Sequence, residues 1–272
     1  TISSLGSLAI QQKNTETLNT DSFKSYISNR KKMTFDDLEK IYNDYSQKTM
    51  NAYWNSNDIT ESAQASIELY DNYNPMYLVE YAEKIAENQK LNISEVFENR
   101  VQSYQYDLNN FYKYYKVMTE DEKNLYSYYF ETDGRESAEK YFNDMKDSWN
   151  QRIAYNEFQE SISNLDLNDE GAVKENIANT LKVNVDGIGD GILQFMNGIA
   201  NSIANNKEIS ISEYKTMYYL AYLEQNSKIL STSYQVGTAT GNMLPSITAS
   251  ILTAIVAPEI APKVGQTLIG VS

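Results

Sequence analysis

Apolar residues recur along this chain at intervals of three and four, the spacing of one face of an α-helix. The longest such run consists of Phe97, Val101, Tyr104, Leu108, Phe111, Tyr115 and Met118. It predicts one continuous helix of about six turns. Runs over residues 138–153 and 188–203 predict two more helices. Because no window alternates as a strand would, apart from a short extended piece at 181–185, we expect an all-α fold, a multi-helix bundle or an elongated helical array.

Three short motifs predict where helices begin. At 34–37, 119–122 and 210–213, a serine or threonine is followed three residues later by an acidic residue. In this arrangement each of the two side chains accepts a hydrogen bond from a backbone N–H that the first helical turn leaves free. The second motif opens a short helix from Glu120 to about Phe130. A turn at Asp133 and Gly134 separates that helix from the run at 138–153.

The composition changes near residue 186. Residues 1–186 contain three of the 11 glycines and carry all but one of the 14 net negative charges. We therefore expect two regions: an acidic, tyrosine-rich helical body over 1–186, and a near-neutral, glycine-containing apolar helical region over 187–272. The chain starts at a threonine and stops just after an apolar run, so we expect the second region to continue in a longer protein.

The most informative segment is 229–258, which has no charged residue in 30 positions. Small residues recur in it, often four apart and beside isoleucines. Small residues at this interval let two helix backbones approach closely, as they do in pairs of transmembrane helices. The segment is therefore predicted to contact another helix or a membrane. The candidate contact residues are Gly237, Gly241, Pro245, Ser246, Ile247, Ser250, Ile251, Ala254 and Ile255.

The length of this segment limits the membrane interpretation. Pro245 and Pro258 bracket 12 residues, about 18 Å of helix, whereas the hydrocarbon core of a bilayer is about 30 Å thick. Residues 236–257 are long enough to span it, but they include Pro245 and several polar side chains. Packing against helices of a soluble core is therefore as good an interpretation as membrane contact.

The charged and missing residue types exclude several classes of function. A net charge of −14 argues against nucleic acid as a partner, since that affinity depends largely on lysine and arginine. The chain has no histidine and no cysteine, which removes the commonest general acid/base, the thiol nucleophile and the usual ligands of zinc. We expect a protein that is not an enzyme, with no catalytic residues, no metal site and no cofactor.

Three other features are better explained by structure than by chemistry. Most of the 23 tyrosines lie at core spacing, which favours packing over a sugar-binding face. The acids at 36–37 and 120–122 lie in predicted first turns, where they complement the helix dipole. Residues 186–191 alternate aspartate and glycine but match neither a calcium loop nor a phosphate loop, and they predict a loop that leads into a helix near Ile188.

Two blocks of sequence resemble a known group of proteins. One is residues 118–126 (Met-Thr-Glu-Asp-Glu-Lys-Asn-Leu-Tyr), with Gly134, residues 138–141 and Arg152. The other is residues 234–247 (Tyr-Gln-Val-Gly-Thr-Ala-Thr-Gly-Asn-Met-Leu-Pro-Ser-Ile). Together they resemble the non-catalytic stalk or pre-toxin regions of large Gram-positive polymorphic toxins and phage-like proteins. The resemblance implies a segment that presents or translocates a C-terminal effector, and it implies no catalytic residues.

The leading hypothesis is therefore a helical delivery or presentation segment of a larger secreted or cell-surface toxin-like protein. Its partners would be a downstream effector domain or another protein, with membrane contact through the apolar region. A structural protein of a virion or phage-like particle, which would self-associate, is the first alternative. The second is a hydrolase that uses carboxylates, since two acids in one cleft are enough for glycoside hydrolysis.

Overall fold

The computed structural model describes residues 2–30, 32–55, 73–103, 106–163, 165–205 and 207–226. Within these ranges all regular structure is helical, with eleven α-helices, one 3₁₀ turn and no strand. The all-α prediction is confirmed. In chain order the helices are α1 (Ile2–Asn19), α2 (Asp21–Asn29), α3 (Phe35–Asn55), α4 (Pro75–Gln89), α5 (Ile93–Asn99), α6 (Leu108–Tyr115), α7 (Glu120–Asp133), α8 (Arg135–Ile162), α9 (Glu170–Leu181), α10 (Ile188–Ala204) and α11 (Ile211–Asn226).

The chain folds as two compact units. Of the residues that the structure describes, those between 12 and 144 belong to the N-terminal unit, and those at 2–11 and 145–226 belong to the C-terminal unit. Helices α1 and α8 each contribute residues to both units. The boundary predicted at residue 186 separates regions that differ in charge and glycine content, not compact units, and it stays a prediction.

All three predicted helix starts are confirmed. Helix α7 begins with a complete capping box, in which the Thr119 N–H donates to Glu122 at 2.8 Å and the Glu122 N–H donates to the Thr119 hydroxyl at 3.2 Å. The motifs at 34–37 and 210–213 form the same reciprocal hydrogen bonds at the starts of α3 and α11. These acids therefore satisfy free backbone N–H groups and face the positive ends of helix dipoles.

The prediction of a single six-turn helix over residues 97–118 is wrong, because this stretch contains two separate helices, α5 and α6. Two side chains between these helices take up backbone N–H groups: Asp107 accepts from Asn110 at 3.0 Å, and Ser103 accepts from Tyr106 at 3.1 Å. Local bonds of this kind compete with a continuing helix. Tyr104 lies outside the described residues. The other six members of the run are all buried: Phe97, Val101, Leu108, Phe111, Tyr115 and Met118.

Gly134 makes the predicted turn between α7 and α8. Its φ of 86° and ψ of 173° are accessible to glycine and strained for other residues. Helix α8 then covers the whole run predicted at 138–153 and continues to Ile162. Trp149, near the middle of α8, is fully buried.

One core in the C-terminal unit joins residues on both sides of position 186. Phe158 of α8, Val173 and Ile177 of α9, Ile192 of α10 and Leu220 of α11 are all buried in it. Residues 181–185, predicted as a short extended piece, form no strand. They lead into the 3₁₀ turn Val185–Gly187, from which α10 starts at Ile188 as predicted.

Ten tyrosines of the described residues are buried, and these ten pack in the helical cores. In the N-terminal unit Tyr126 packs edge-to-face on Phe111, with ring centroids 5.7 Å apart. In the C-terminal unit Tyr155 and Tyr218 pack in the same way at 5.8 Å. The buried tyrosines are Tyr45, Tyr73, Tyr81, Tyr114, Tyr115, Tyr126, Tyr141, Tyr214, Tyr218 and Tyr219.

Candidate functional site

The contact residues predicted from the sequence lie outside the residues that the structure describes. This applies to all nine: Gly237, Gly241, Pro245, Ser246, Ile247, Ser250, Ile251, Ala254 and Ile255. Their role stays a prediction. Among the helices of the described ranges, none has both the length and the apolar character needed to cross a bilayer.

A polar cleft in the N-terminal unit is a candidate site. Its volume is about 580 Å³, within the range of small-molecule and short-peptide sites. Four acidic and four basic residues line it, so its formal charge is balanced. The lining residues are Ile27, Arg30, Lys32, Met33, Met76, Glu80, Glu83, Lys84, Glu87, Tyr115, Glu120, Lys123, Asn124 and Ser127.

One face of α4 forms a long side of the cleft. Met76, Glu80, Glu83, Lys84 and Glu87 follow one another at intervals that keep them on the same helical face. Pro75 and the Asn74 cap fix where this helix starts, since the Asn74 side chain accepts from the Met76 N–H at 3.0 Å. A buried hydrogen bond of 3.0 Å from Asn74 to Ser127 holds the start of α4 against α7.

Tyr115 and the first turns of α7 form another part of the lining. The Lys123 ammonium lies 3.9 Å from the centroid of the Tyr115 ring and 3.4 Å from Glu120. An aromatic face and a carboxylate together are an effective receptor for an ammonium group. Glu80, Glu83 and Glu120 all act electrostatically on the Tyr115 hydroxyl and, with burial as the largest cause, raise its pKa.

Arg30 follows the last residue of α2 and is held by several neighbours. Its guanidinium donates a short hydrogen bond to Asn124 and lies about 6 Å from the ring centroids of Tyr26 and Tyr77. The Tyr77 hydroxyl in turn donates to Glu131. These contacts fix the Arg30 side chain, whose positive charge lines the cleft.

Glu80 is a half-buried carboxylate of the cleft. Burial raises its pKa above the ordinary value, and the charges of Glu83 and Glu120 add to the rise, whereas Lys84 and Arg30 oppose it. These neighbours act on Glu80 through charge alone, with no hydrogen bond from any described residue. In this environment a nearby cation or hydrogen-bond donor stabilises the ionised form of the half-buried carboxylate.

A second polar cluster lies in the C-terminal unit, between α8 and α11. The Tyr214 hydroxyl donates to the Asp147 carboxylate at 2.9 Å, and the Gln151 amide donates both to Asp147 at 3.1 Å and to the Tyr214 oxygen at 3.0 Å. Burial raises the pKa of Asp147, the charge of Glu208 raises it further, and the two hydrogen bonds lower it. Because the cluster is closed on itself, it stabilises the unit rather than offering a free site.

No group of three or more acidic side chains in the described ranges is arranged to hold a metal ion. The two aspartates of residues 186–191 lie in the 3₁₀ turn and in the first turn of α10, as expected for a loop that leads into a helix. In the cleft, four acidic residues lie in the same lining as four basic residues.

Sequence reasoning did not find the cleft. Its α4 face consists mainly of charged residues at helical spacing, the pattern of an ordinary solvated face. One weak sequence signal could have indicated the cleft. Met76, an apolar residue, lies at the start of the same helical face as the acidic residues of α4. The other lining residues come from three separate segments, which only the tertiary structure brings together.

No known protein family, curated protein or solved structure matches this chain. The chemistry of the cleft and the organisation of the helices are therefore the grounds for a functional proposal.

Proposed function

We propose that this chain is a non-catalytic helical segment that presents or delivers an effector within a larger secreted or cell-surface protein of the polymorphic-toxin type. The observation that supports the proposal is that acidic residues of this chain cap its helices. Asp37, Glu122 and Glu213 are taken up in reciprocal helix caps, so these three carboxylates stabilise helix starts in both units. An acidic helical body suits a carrier or spacer that must remain soluble while it holds another domain.

The arrangement of acids in the cleft supports binding over hydrolysis. A glycoside hydrolase places two carboxyl groups on opposite sides of the bond that breaks. Glu80, Glu83 and Glu87 instead come from one face of α4, and Glu120 is mostly exposed and lies beside Lys123. Acids on one wall with basic neighbours are suited to holding a ligand by its charges.

In this proposal, the uncharged segment at 229–258 contacts either a membrane or the helices of the attached effector. Its small residues, among them Gly237, Gly241 and Ser250, provide a face for close packing. The charge-free character of 30 consecutive positions, in a chain where 22% of residues are charged, sets the segment apart from the body.

Vesicle flotation of the full 272-residue chain tests the membrane part. With neutral phosphatidylcholine vesicles, which avoid repulsion of the acidic body, we expect the chain to float with the lipid. Ile251→Asp places a charge in the apolar segment, at a cost of about 2.5–3.5 kcal/mol in a bilayer interior, and should leave most of the protein at the bottom of the gradient. Asn201→Asp adds the same charge on an exposed position of α10 and should float like the original chain. A wild-type chain that never floats rules out membrane contact by this segment.

Light scattering in detergent-free buffer tests the delivery role against the virion-like alternative. A delivery segment is expected to be a monomer at micromolar concentration. A stable ring or fibre would instead establish a structural assembly protein and overturn the proposal.

A further inference from the structure

We draw no further inference here: the strongest candidate, the exposed face of α10 that carries Gly189, Ala200 and Ala204, is a stripe of small residues, and nothing in the described part of the structure shows what covers it.

Discussion

Tyr214→Phe removes one hydroxyl from the polar cluster between α8 and α11. In the native chain this hydroxyl donates to Asp147 at 2.9 Å and accepts from Gln151 at 3.0 Å, and Tyr214 is almost fully buried. The variant keeps the ring, so the packing is nearly unchanged. What is lost is one hydrogen bond to a half-buried carboxylate and one acceptor for a buried amide.

The expected cost depends on the charge of Asp147. A hydrogen bond to a charged group contributes about 1.5–3 kcal/mol, so at pH 7 Tyr214→Phe should lower the free energy of unfolding of the C-terminal unit by about 2–3 kcal/mol. When Asp147 is protonated the bond becomes one between neutral groups, and the cost should fall to about 1 kcal/mol. The destabilisation by Tyr214→Phe should therefore decrease as the pH is lowered.

The stability of the native chain should change with pH in a direction set by the same group. The folded-state pKa of Asp147 is raised, so the folded chain binds a proton more tightly than the unfolded chain does. The contribution of Asp147 to stability is therefore greatest below the ordinary aspartate pKa of about 3.9, and it is lost as the pH rises through the higher folded-state pKa. Glu208 lies near enough to add to this rise, and Lys146 pairs with it at 3.0 Å.

Urea denaturation at pH 7 and at pH 3, below the ordinary aspartate pKa, measures this effect when it is followed by tryptophan fluorescence. Of the two tryptophans, Trp149 is fully buried in the C-terminal unit and Trp54 is 73% exposed in the N-terminal unit. A Trp54→Phe background leaves Trp149 as the reporter of the unit that contains Tyr214. The free energy of unfolding then refers to one unit, which a signal from the whole chain would not guarantee.

Tyr218→Phe is the matched control. Tyr218 is buried one helical turn from Tyr214, and its hydroxyl has no hydrogen-bond partner among the described residues. Removing an unsatisfied buried hydroxyl should be neutral or stabilising at both pH values. Equal effects of the two substitutions, or a cost of Tyr214→Phe that does not change between pH 7 and pH 3, would refute the role given to the Asp147 hydrogen bond.

Three further substitutions and one control test the helix boundaries and the core, each by thermal denaturation. Thr119→Ala breaks the capping box of α7 and should cost about 1 kcal/mol; no change would mean that the cap is dispensable. Gly134→Ala meets no atom within 4 Å, so its expected cost of about 1–3 kcal/mol comes from backbone strain alone, whereas Gly189→Ala within α10 should be neutral or stabilising. Trp149→Ala should cost about 3–5 kcal/mol, and a value below about 1 kcal/mol would contradict its place in the core.

Local patterns predicted the helices well where a cap or a turn marked their ends. The motifs that start with Thr34, Thr119 and Ser210 and the turn at Gly134 are all confirmed, because a helix start requires only the side chains of its first turn. The run at 97–118 shows the limit of periodicity. Its residues are buried as predicted, but periodicity alone cannot detect that Ser103 and Asp107 take the backbone N–H groups needed to continue the helix.

The candidate cleft could not be predicted from local sequence patterns, because it is formed by segments that are distant in sequence. The Asp147 cluster could not be predicted locally either, since Asp147 and Tyr214 are 67 residues apart in sequence. In both cases the significance of a carboxylate comes from its burial and from neighbours on other helices. A glutamate on a helix such as α4 has the same local sequence whether it faces open solvent or a partly closed cleft.

The sequence by itself determined that the described part of the chain is helical, where α3, α7, α8, α10 and α11 begin, and that histidine and cysteine chemistry are absent. It also indicated that Phe97, Phe111 and Trp149 are buried. These properties follow from residue type, helical spacing and the hydrogen bonds of a single turn. Only the tertiary structure decided that the run at 97–118 forms two helices, and that Glu80 shares a cleft with Arg30, Lys123 and Tyr115. The physical reason is that burial and electrostatic environment arise from contacts between distant segments, and these contacts exist only once the helices have packed.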